Sequence, residues 1–461
     1  MGKYQAYSQY KSTNIVELAS VPSHWQVAAL RRYIEEHRQG YYTTASYVDD
    51  GVKLLRITDL RPNGGVDIAD CPKVPNSDES LVNYDLKAGD VVFARTGGAG
   101  SFGVIPNLSE RVVYASYLIR FRFYKEKLHS NFLKFVLQGD PFQKSVRKNI
   151  HGGVNQNIHA EDIKDTFIAK PDIEEQTQIA NFLDHETAKI DTLIDKQKQL
   201  IKLLIEKRQA VISHAVTKGL NPDAPMKDSE VEWLGEIPEH WSVTSIKHQC
   251  ALIDGDRGSH YPNENDYVDV GIPFFSSKNI IHYKLTKKNL KFISESKFMS
   301  LGRGKLAHND LIITVRGTIG HVAIFDASEI GCNTGFINAQ MMIIRPTKQL
   351  TDFLLYLSES DVWSHQLNLY SYGSTVKQLS NEVVGNFKFV LPHQDDMAQL
   401  LTHLKDVDSR YVKLIHVAEQ QIKLMTERRI ALISAAVTGK IDVRNWQAPI
   451  NREAQQQEVS Q

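Results

Sequence analysis

A chain of 461 residues has room for two to four domains. Lys plus Arg equals Asp plus Glu at 54 each, so no overall charge draws the chain to nucleic acid or a membrane surface. The apolar runs are too short to span a bilayer, and three isolated cysteines (Cys71, Cys250, Cys332) form neither a metal-spaced pair nor a disulfide framework, which fits a reducing cytoplasm.

Residues 1–19 read as a polar, loose arm without the apolar core of a signal peptide. Val21-Pro-Ser-His-Trp25 then opens a compact segment and is echoed by Ile237-Pro-Glu-His-Trp241; each Trp reads as a packing anchor at the start of a repeat. Residues 54–60 read as a strand entering the turn Pro62-Asn-Gly-Gly65, with 273–278 as the counterpart. The segment 89–98 matches 309–317: a turn, a buried strand, then an arginine, Arg95 or Arg316, delivered into a Gly-rich loop. Short strands are expected at 104–105, 117–123, 321–325 and 337–344, and one helix in each half at 130–148 and 352–369. A Gly-containing loop follows, 151–157 or 372–377, and a last strand, 166–169 or 386–390, runs to Pro171 or Pro392.

There a long helix begins in each half. In residues 171–219, Leu183, Ile190, Leu204 and Val211 recur every seven residues with Gln197 as the polar member, and Leu193/Ile194 and Leu200/Ile201 supply a second row. Acidic residues open the helix, and Lys218, Gly219 and Pro222 close it. The stripe needs a partner, and the same design returns 221 residues later: Leu404, Tyr411, Ala418, Met425 and Leu432 form one row, Leu414/Ile415 and Ile422 the other. The ends of the two helices agree position by position, as a duplication requires.

The expected fold class is α+β. Two similar mixed α/β globules, at 1–170 and 237–391, are joined by two long antiparallel coiled-coil helices, at 171–219 and 392–440. A polar linker at 220–236 and a Gln-rich, disordered tail at 441–461 complete the chain. Antiparallel pairing gives an internal pseudo-two-fold repeat with the globules thrown to opposite ends.

Charge is uneven along this frame. Residues 95–148 carry ten Lys/Arg against three acids, and 278–305 carry eight against one. One basic zone per half points to phosphate binding, against the plainer reading of a solvated face. The candidate DNA-binding residues in the first half are Arg95, Thr96, Arg120, Arg122, Lys148, His151, Asn155 and Asn157. Those in the second half are Lys287, Lys288, Lys291, Arg316, Ser374, Thr375 and Lys377. Arginine suits bidentate contact with guanine, while Lys and Arg elsewhere hold phosphates.

Catalytic chemistry is missing from the sequence. Gly98-Ala-Gly-Ser-Phe-Gly103 has dinucleotide-loop spacing, but a strand broken by Pro106 follows where a helix is required. There is no ATP-binding loop, no metal-spaced His or Cys set, no nuclease motif, and no Asn-Pro-Pro-Tyr of the kind that holds a flipped base.

The residues 227–241 (KDSEVEWLGEIPEHW), the Gly-Asp to Arg-Thr-Gly segment at 89–97, and Pro171-Asp-Ile-Glu-Glu-Gln-Thr-Gln-Ile-Ala-Asn-Phe-Leu183 carry a resemblance. The chain resembles the DNA-specificity subunits of type I restriction-modification enzymes over nearly its whole length. The second half departs locally, with His393-Gln-Asp-Asp396 for the usual Glu-Glu-Gln and Asn309 for Gly. The resemblance implies two target-recognition domains, each reading half of a split, asymmetric site on double-stranded DNA. It implies helices that set the spacing and seat two methyltransferase subunits, with motor/nuclease subunits joining for cleavage. S-adenosylmethionine, ATP and magnesium would then belong to those partners, and this chain would hold no cofactor. Half-sites in successive major grooves lie about 34 Å apart, a distance that a rigid spacer fixes better than a flexible one. The competing expectation is a coiled-coil scaffold that binds proteins and leaves DNA alone.

Overall fold

The computed structural model describes residues 4–153, 156–258, 260–281, 283–371 and 378–448. They form two compact α+β units, one of residues up to 198 plus those from 420 onward, the other of residues 199–419. Each unit therefore holds one globule, the opening of the helix that follows it, and the closing of the other long helix.

The first long helix, Ile173–Lys218, has 46 residues and the second, Gln394–Val437, has 44. The Asp172 carboxylate accepts the Glu175 backbone N–H at 2.9 Å, satisfying a donor that the helix start leaves free. Both helices stop at a glycine in the left-handed region, Gly219 (φ 75°) and Gly439 (φ 70°). At Gly439 a side chain is excluded twice, since a Cβ would also fall 2.3 Å from Pro22.

Buried and half-buried positions on the first helix run 183, 187, 190, 194, 197, 201, 204, 208, 211 and 215, steps of four and three that define a coiled-coil seam. Of the pairs 193/194 and 200/201, the isoleucines turn inward, while Leu193 and Leu200 stay 51% and 44% exposed. On the second helix Ile415 likewise turns in and Leu414 out. Pairing is antiparallel within each unit. In the first, Gln178 meets Val443 while Asp191 meets Arg429; in the second, Arg208 meets Asp408 while Gly219 lies beside Asp396 and Leu400.

The closing turns dock on the globules by matching contacts. In the first unit Arg429 donates to Gln138 at 3.0 Å and Ser434 Oγ accepts the Asp140 N–H. In the second, Arg208 donates to Glu359 and Ser213 Oγ accepts the Asp361 N–H. Trp25 and Trp241, both buried, pack at Gly439 and Gly219. Each indole N–H donates to an acid in the first turn of a long helix, Glu175 at 3.0 Å and Asp396 at 2.6 Å.

Each globule is built on an antiparallel sheet. In the first the strand order is Ile34–Gln39, Leu118–Phe123, Val91–Ala94, Phe102–Val104, with a three-stranded sheet of Lys73–Val74, Val52–Leu55 and Val112–Tyr114 beside it. In the second the same core reads Cys250–Asp254, Met341–Pro346, Leu311–Thr314, Val322–Ile324, extended by the hairpin Ile280–Ile281 and Lys284–Leu285. A buried carboxylate ties each core: Asp90 accepts two hydrogen bonds from Arg122, and Asp310 two from Arg345.

Several expectations need correction. The helix expected at 130–148 is two, Ser130–Gln138 and Asp140–Lys148, because Gly139 is extended and Pro141 starts a new helix. Its counterpart is likewise Thr351–Ser358 and Asp361–Ser371. The strand expected at 337–344 is two short ones, Phe336–Ile337 and Met341–Pro346. The opening arm is not loose: Tyr10–Ser12 pairs with Ser20–Pro22, and Tyr7 OH donates to Glu175 at 2.6 Å. Within the polar linker Met226–Asp228 pairs with Glu236–Pro238, and Val231 and Leu234 between them are buried. In the tail, buried Ile441 and Val443 carry the packing on past the helix, and Trp446 stacks edge-on against Phe182.

Candidate nucleic-acid interface

In the first unit the strand Val91–Ala94 delivers Arg95 to a surface made of two loops. The Arg95 N–H donates to Tyr117 O at 2.8 Å, and its carbonyl accepts the Ile158 N–H at 3.0 Å. The next residue, Thr96, bridges to Asn157, which exchanges two 2.8 Å backbone bonds with His151. Two loops far apart in sequence thus meet, one carrying Arg95 and Thr96, the other His151 and Asn157. Gly97, Gly98 and Gly100 in left-handed or extended-positive conformations let the loop turn back on the strand.

Arg95 differs from other arginines of the first unit in the group it faces. Arg31, Arg56, Arg61 and Arg111 each face an aspartate, whereas among the described residues Arg95 is matched by a neutral group. Its Nη1 donates to Gln39 Oε1 at 3.3 Å, and Gln39 Nε2 donates to Ser116 O at 3.1 Å. Exposed Tyr42 and Tyr117 flank this pair in sequence and backbone pairing, through the bridge of Tyr41 to Ala115. Sequence reasoning missed Gln39, Tyr42 and Tyr117: nothing local marks them, because strand pairing alone brings Gln39 to Arg95 across 56 residues.

The second unit is not a copy. Its Val315 makes the backbone bonds that Arg95 makes, accepting from Leu379 and donating to Gln340, and Arg316 occupies the bridge position of Thr96, opposite Gln378. Arg95 and Arg316 are therefore one residue out of step, which along an extended chain turns their side chains to opposite sides. Val315 is fully buried. Arg316 Nε is also buried and, among the described residues, has no hydrogen-bond partner.

Arg120 and Arg122 leave the candidate surface. Arg120 is 2% exposed, within 2.5 Å of Glu36 and donating to Asp85 O, and Arg122 is spent on Asp90 and Glu36. Inward-facing positions of the central strand Leu118–Phe123 put them there. The bond to Asp90 holds the Arg122 guanidinium above its ordinary value. Lys148 is exposed at a helix end and pairs with Glu17. Lys287, Lys288 and Lys291 are exposed on the hairpin lobe of the second unit, with Lys291 Nζ 4.1 Å from the Tyr267 ring centre. Asn155, Ser374, Thr375 and Lys377 lie outside the described residues.

Burial pushes the Cys71 and Cys250 thiols up to about 12, far from a reactive thiolate. Among the described residues no group of three or more His, Cys, Asp or Glu could hold a metal ion, and no helix is long and apolar enough to cross a membrane. A cleft of about 680 Å³ in the first unit lies between the Gly-rich loop at Ala99–Phe102 and both long helices, with Arg61, Arg147 and Lys198 on its walls.

A family model described as the type I restriction modification DNA specificity domain matches residues 60–203 and again 238–424. The type I restriction enzyme MjaVIII specificity subunit of Methanocaldococcus jannaschii is 24% identical over 459 residues, 95% of this chain and 98% of the relative. The EcoBI specificity subunit of Escherichia coli is 25% identical over 281 residues, 60% of this chain and 56% of the relative. A solved chain from work on complex assembly and conformational transition of the type I R-M system superposes with a TM-score of 0.68 at 17% identity, covering 91% of this chain and 99% of that one.

Proposed function

The chain belongs to the family of type I restriction-modification DNA-specificity subunits, and from that premise we propose how its parts divide the work. Each unit reads one half of a split site on double-stranded DNA. The first unit reads through Arg95, Thr96, His151 and Asn157, the second through Arg316 and the Lys287/Lys288/Lys291 lobe. The chain makes and breaks no covalent bond; S-adenosylmethionine, ATP and magnesium serve methyltransferase and motor/nuclease subunits that bind it in the cytoplasm.

The single observation that carries the reading is a repeated frame with unlike surfaces: matching docking contacts in the two units, and an arginine that is one residue out of step between them. A frame repeated with different loops suits two different half-sites. The paired helices act as the spacer between them. On the helix segments of the second unit Leu203, Ile205, Val412 and Val417 stay exposed, apolar groups suited to contact with a methyltransferase subunit.

The test is to produce the chain with and without its cognate methyltransferase subunit and map methylated bases by sequencing. Methylation at one split motif, seen when both are present, is the expected result. Methylation or cleavage by the purified chain alone overturns the reading. The protein-scaffold alternative predicts no duplex binding, whereas DNA reading predicts affinity that falls with salt at a slope of several ions.

A further inference from the structure

We propose that Gln39 is the positioning residue that makes Arg95 a guanine reader in the first unit, and that the second unit lacks this device. The inference rests on the DNA-reading function just proposed and adds to it a base and a supporting residue.

The geometry is specific. Arg95 sits where its own strand ends, held by backbone bonds to Tyr117 on one side and Ile158 on the other. That fixes the stem but leaves a long side chain free to rotate. Gln39 restrains it: its amide oxygen accepts from Nη1, while its amide nitrogen donates to Ser116 O in the turn that leads into the strand Leu118–Phe123. Both ends of the amide are thereby committed, so Gln39 is a strap between backbone and guanidinium. Among the described residues, one neutral bond through Nη1 leaves most of the five guanidinium N–H donors unspent and the charge unneutralised. A carboxylate at position 39 would hold the fork more tightly but cancel that charge, which is what Asp59 does to Arg56 nearby.

An oriented, uncompensated guanidinium is the group that pairs with guanine O6 and N7 in the major groove. A phosphate takes the same fork but is also held by a lysine ammonium as a point charge, so a phosphate contact does not depend on the fork as a guanine contact does. The second unit places buried Val315 at the equivalent position and, at the position equivalent to Gln39, Asp254, so its own arginine works from the next residue.

The experiment uses the full chain assembled with its methyltransferase subunits. After the motif is mapped, initial methylation rates are measured on duplexes in which each base pair of the motif is substituted in turn. Arg95→Ala is expected to relax discrimination at a single G·C pair, in one half-motif, by about ten-fold to a hundred-fold. Gln39→Ala is expected to relax the same pair by about ten-fold and leave the other positions and the salt slope unchanged. Gln39→Glu, with its compensating charge, should fail to restore it. Arg95→Lys, which keeps charge and fold but not the fork, should behave like Arg95→Ala.

Even weakening across all sequences with a salt slope reduced by about one ion would mark Arg95 as a phosphate contact and overturn the proposal. So would a Gln39→Ala complex whose motif is as sharp as the wild type, or Arg95 variants that alter both half-motifs. A wild-type complex that marks no split motif would instead sink the functional reading beneath it.

Discussion

In the first unit Arg429 is shared between Asp191, on the opposing helix, and the neutral Gln138; in the second, the residue 221 positions earlier, Arg208, is shared between Asp408 and the buried acid Glu359. The place is the same and the helix enters the same way, yet one docking site is neutral at the globule and the other is ionic. The Trp anchors diverge in the same fashion. Glu175, beneath Trp25, is buried and also takes Tyr7 OH and His24 Nε2, whereas Asp396, beneath Trp241, is 40% exposed and shares its bonds with His240. Duplication preserved where the contacts are made and let the chemistry of each contact drift, so the two units answer differently to the same insult.

The largest differences should come from the anchors. Trp25→Ala removes a fully buried indole and leaves Glu175 short of a donor, and it is expected to cost the first unit about 4 kcal/mol. Trp241→Ala should cost the second about 1 kcal/mol less, since half-exposed Asp396 can turn to water. Hydrogen exchange of each unit's core strands reads the two separately. Equal losses would remove the distinction between the anchors.

Next come the docking arginines. Arg208→Ala strands a buried carboxylate at Glu359 and is expected to cost about 3 kcal/mol. Arg429→Ala strands a neutral amide and a half-exposed acid, and should cost about 1 kcal/mol. The same exchange measurement decides between them.

A smaller, pH-dependent effect sharpens the contrast. Burial pushes the Glu359 carboxyl above its ordinary 4.5, with Arg208 pulling it back and Asp408 adding to the rise. A folded value raised above the unfolded one means that the contribution of Glu359 is fullest below about 4.5 and is lost as pH rises through the folded value. The stability of wild type relative to Glu359→Gln should therefore fall as pH is raised from about 4 toward 7, in melts followed across that range. At the matching place in the first unit Gln138 titrates nothing, so Gln138→Ala should shift stability without any such slope.

The smallest effect on stability is expected at the outer helix face. Leu203 is 60% exposed, and Leu203→Ser should change folding by less than about 0.5 kcal/mol while weakening co-purification of the methyltransferase subunit. Undiminished co-purification would place the seat elsewhere.

Much of the frame was legible in the sequence because periodicity is a local signal. The seven-residue rows found both long helices, and the two Pro-x-His-Trp segments marked the repeat. The rows could not tell Ile194 from Leu193, since both are apolar and only the partner helix selects the inward one. Two kinds of information were not local. Arg120 and Arg122 counted as basic surface in a tally of charges, but strand pairing carried them to Glu36 and Asp90. Arg95 and Arg316 match in the sequence pattern, whereas the hydrogen bonds put Val315 in the place of Arg95, because a one-residue offset in a short strand costs little in pattern and everything in direction.

Unlike reading surfaces on one repeated frame should answer separately to substitution. The most direct measurement is a methylation map of the complex in which Lys287, Lys288, Lys291 and Arg316 of the second unit are together changed to Ala. A changed half-motif on one side, with the other half-motif and the spacing retained, is the predicted result; an unaltered motif, or alteration of both halves together, would contradict it.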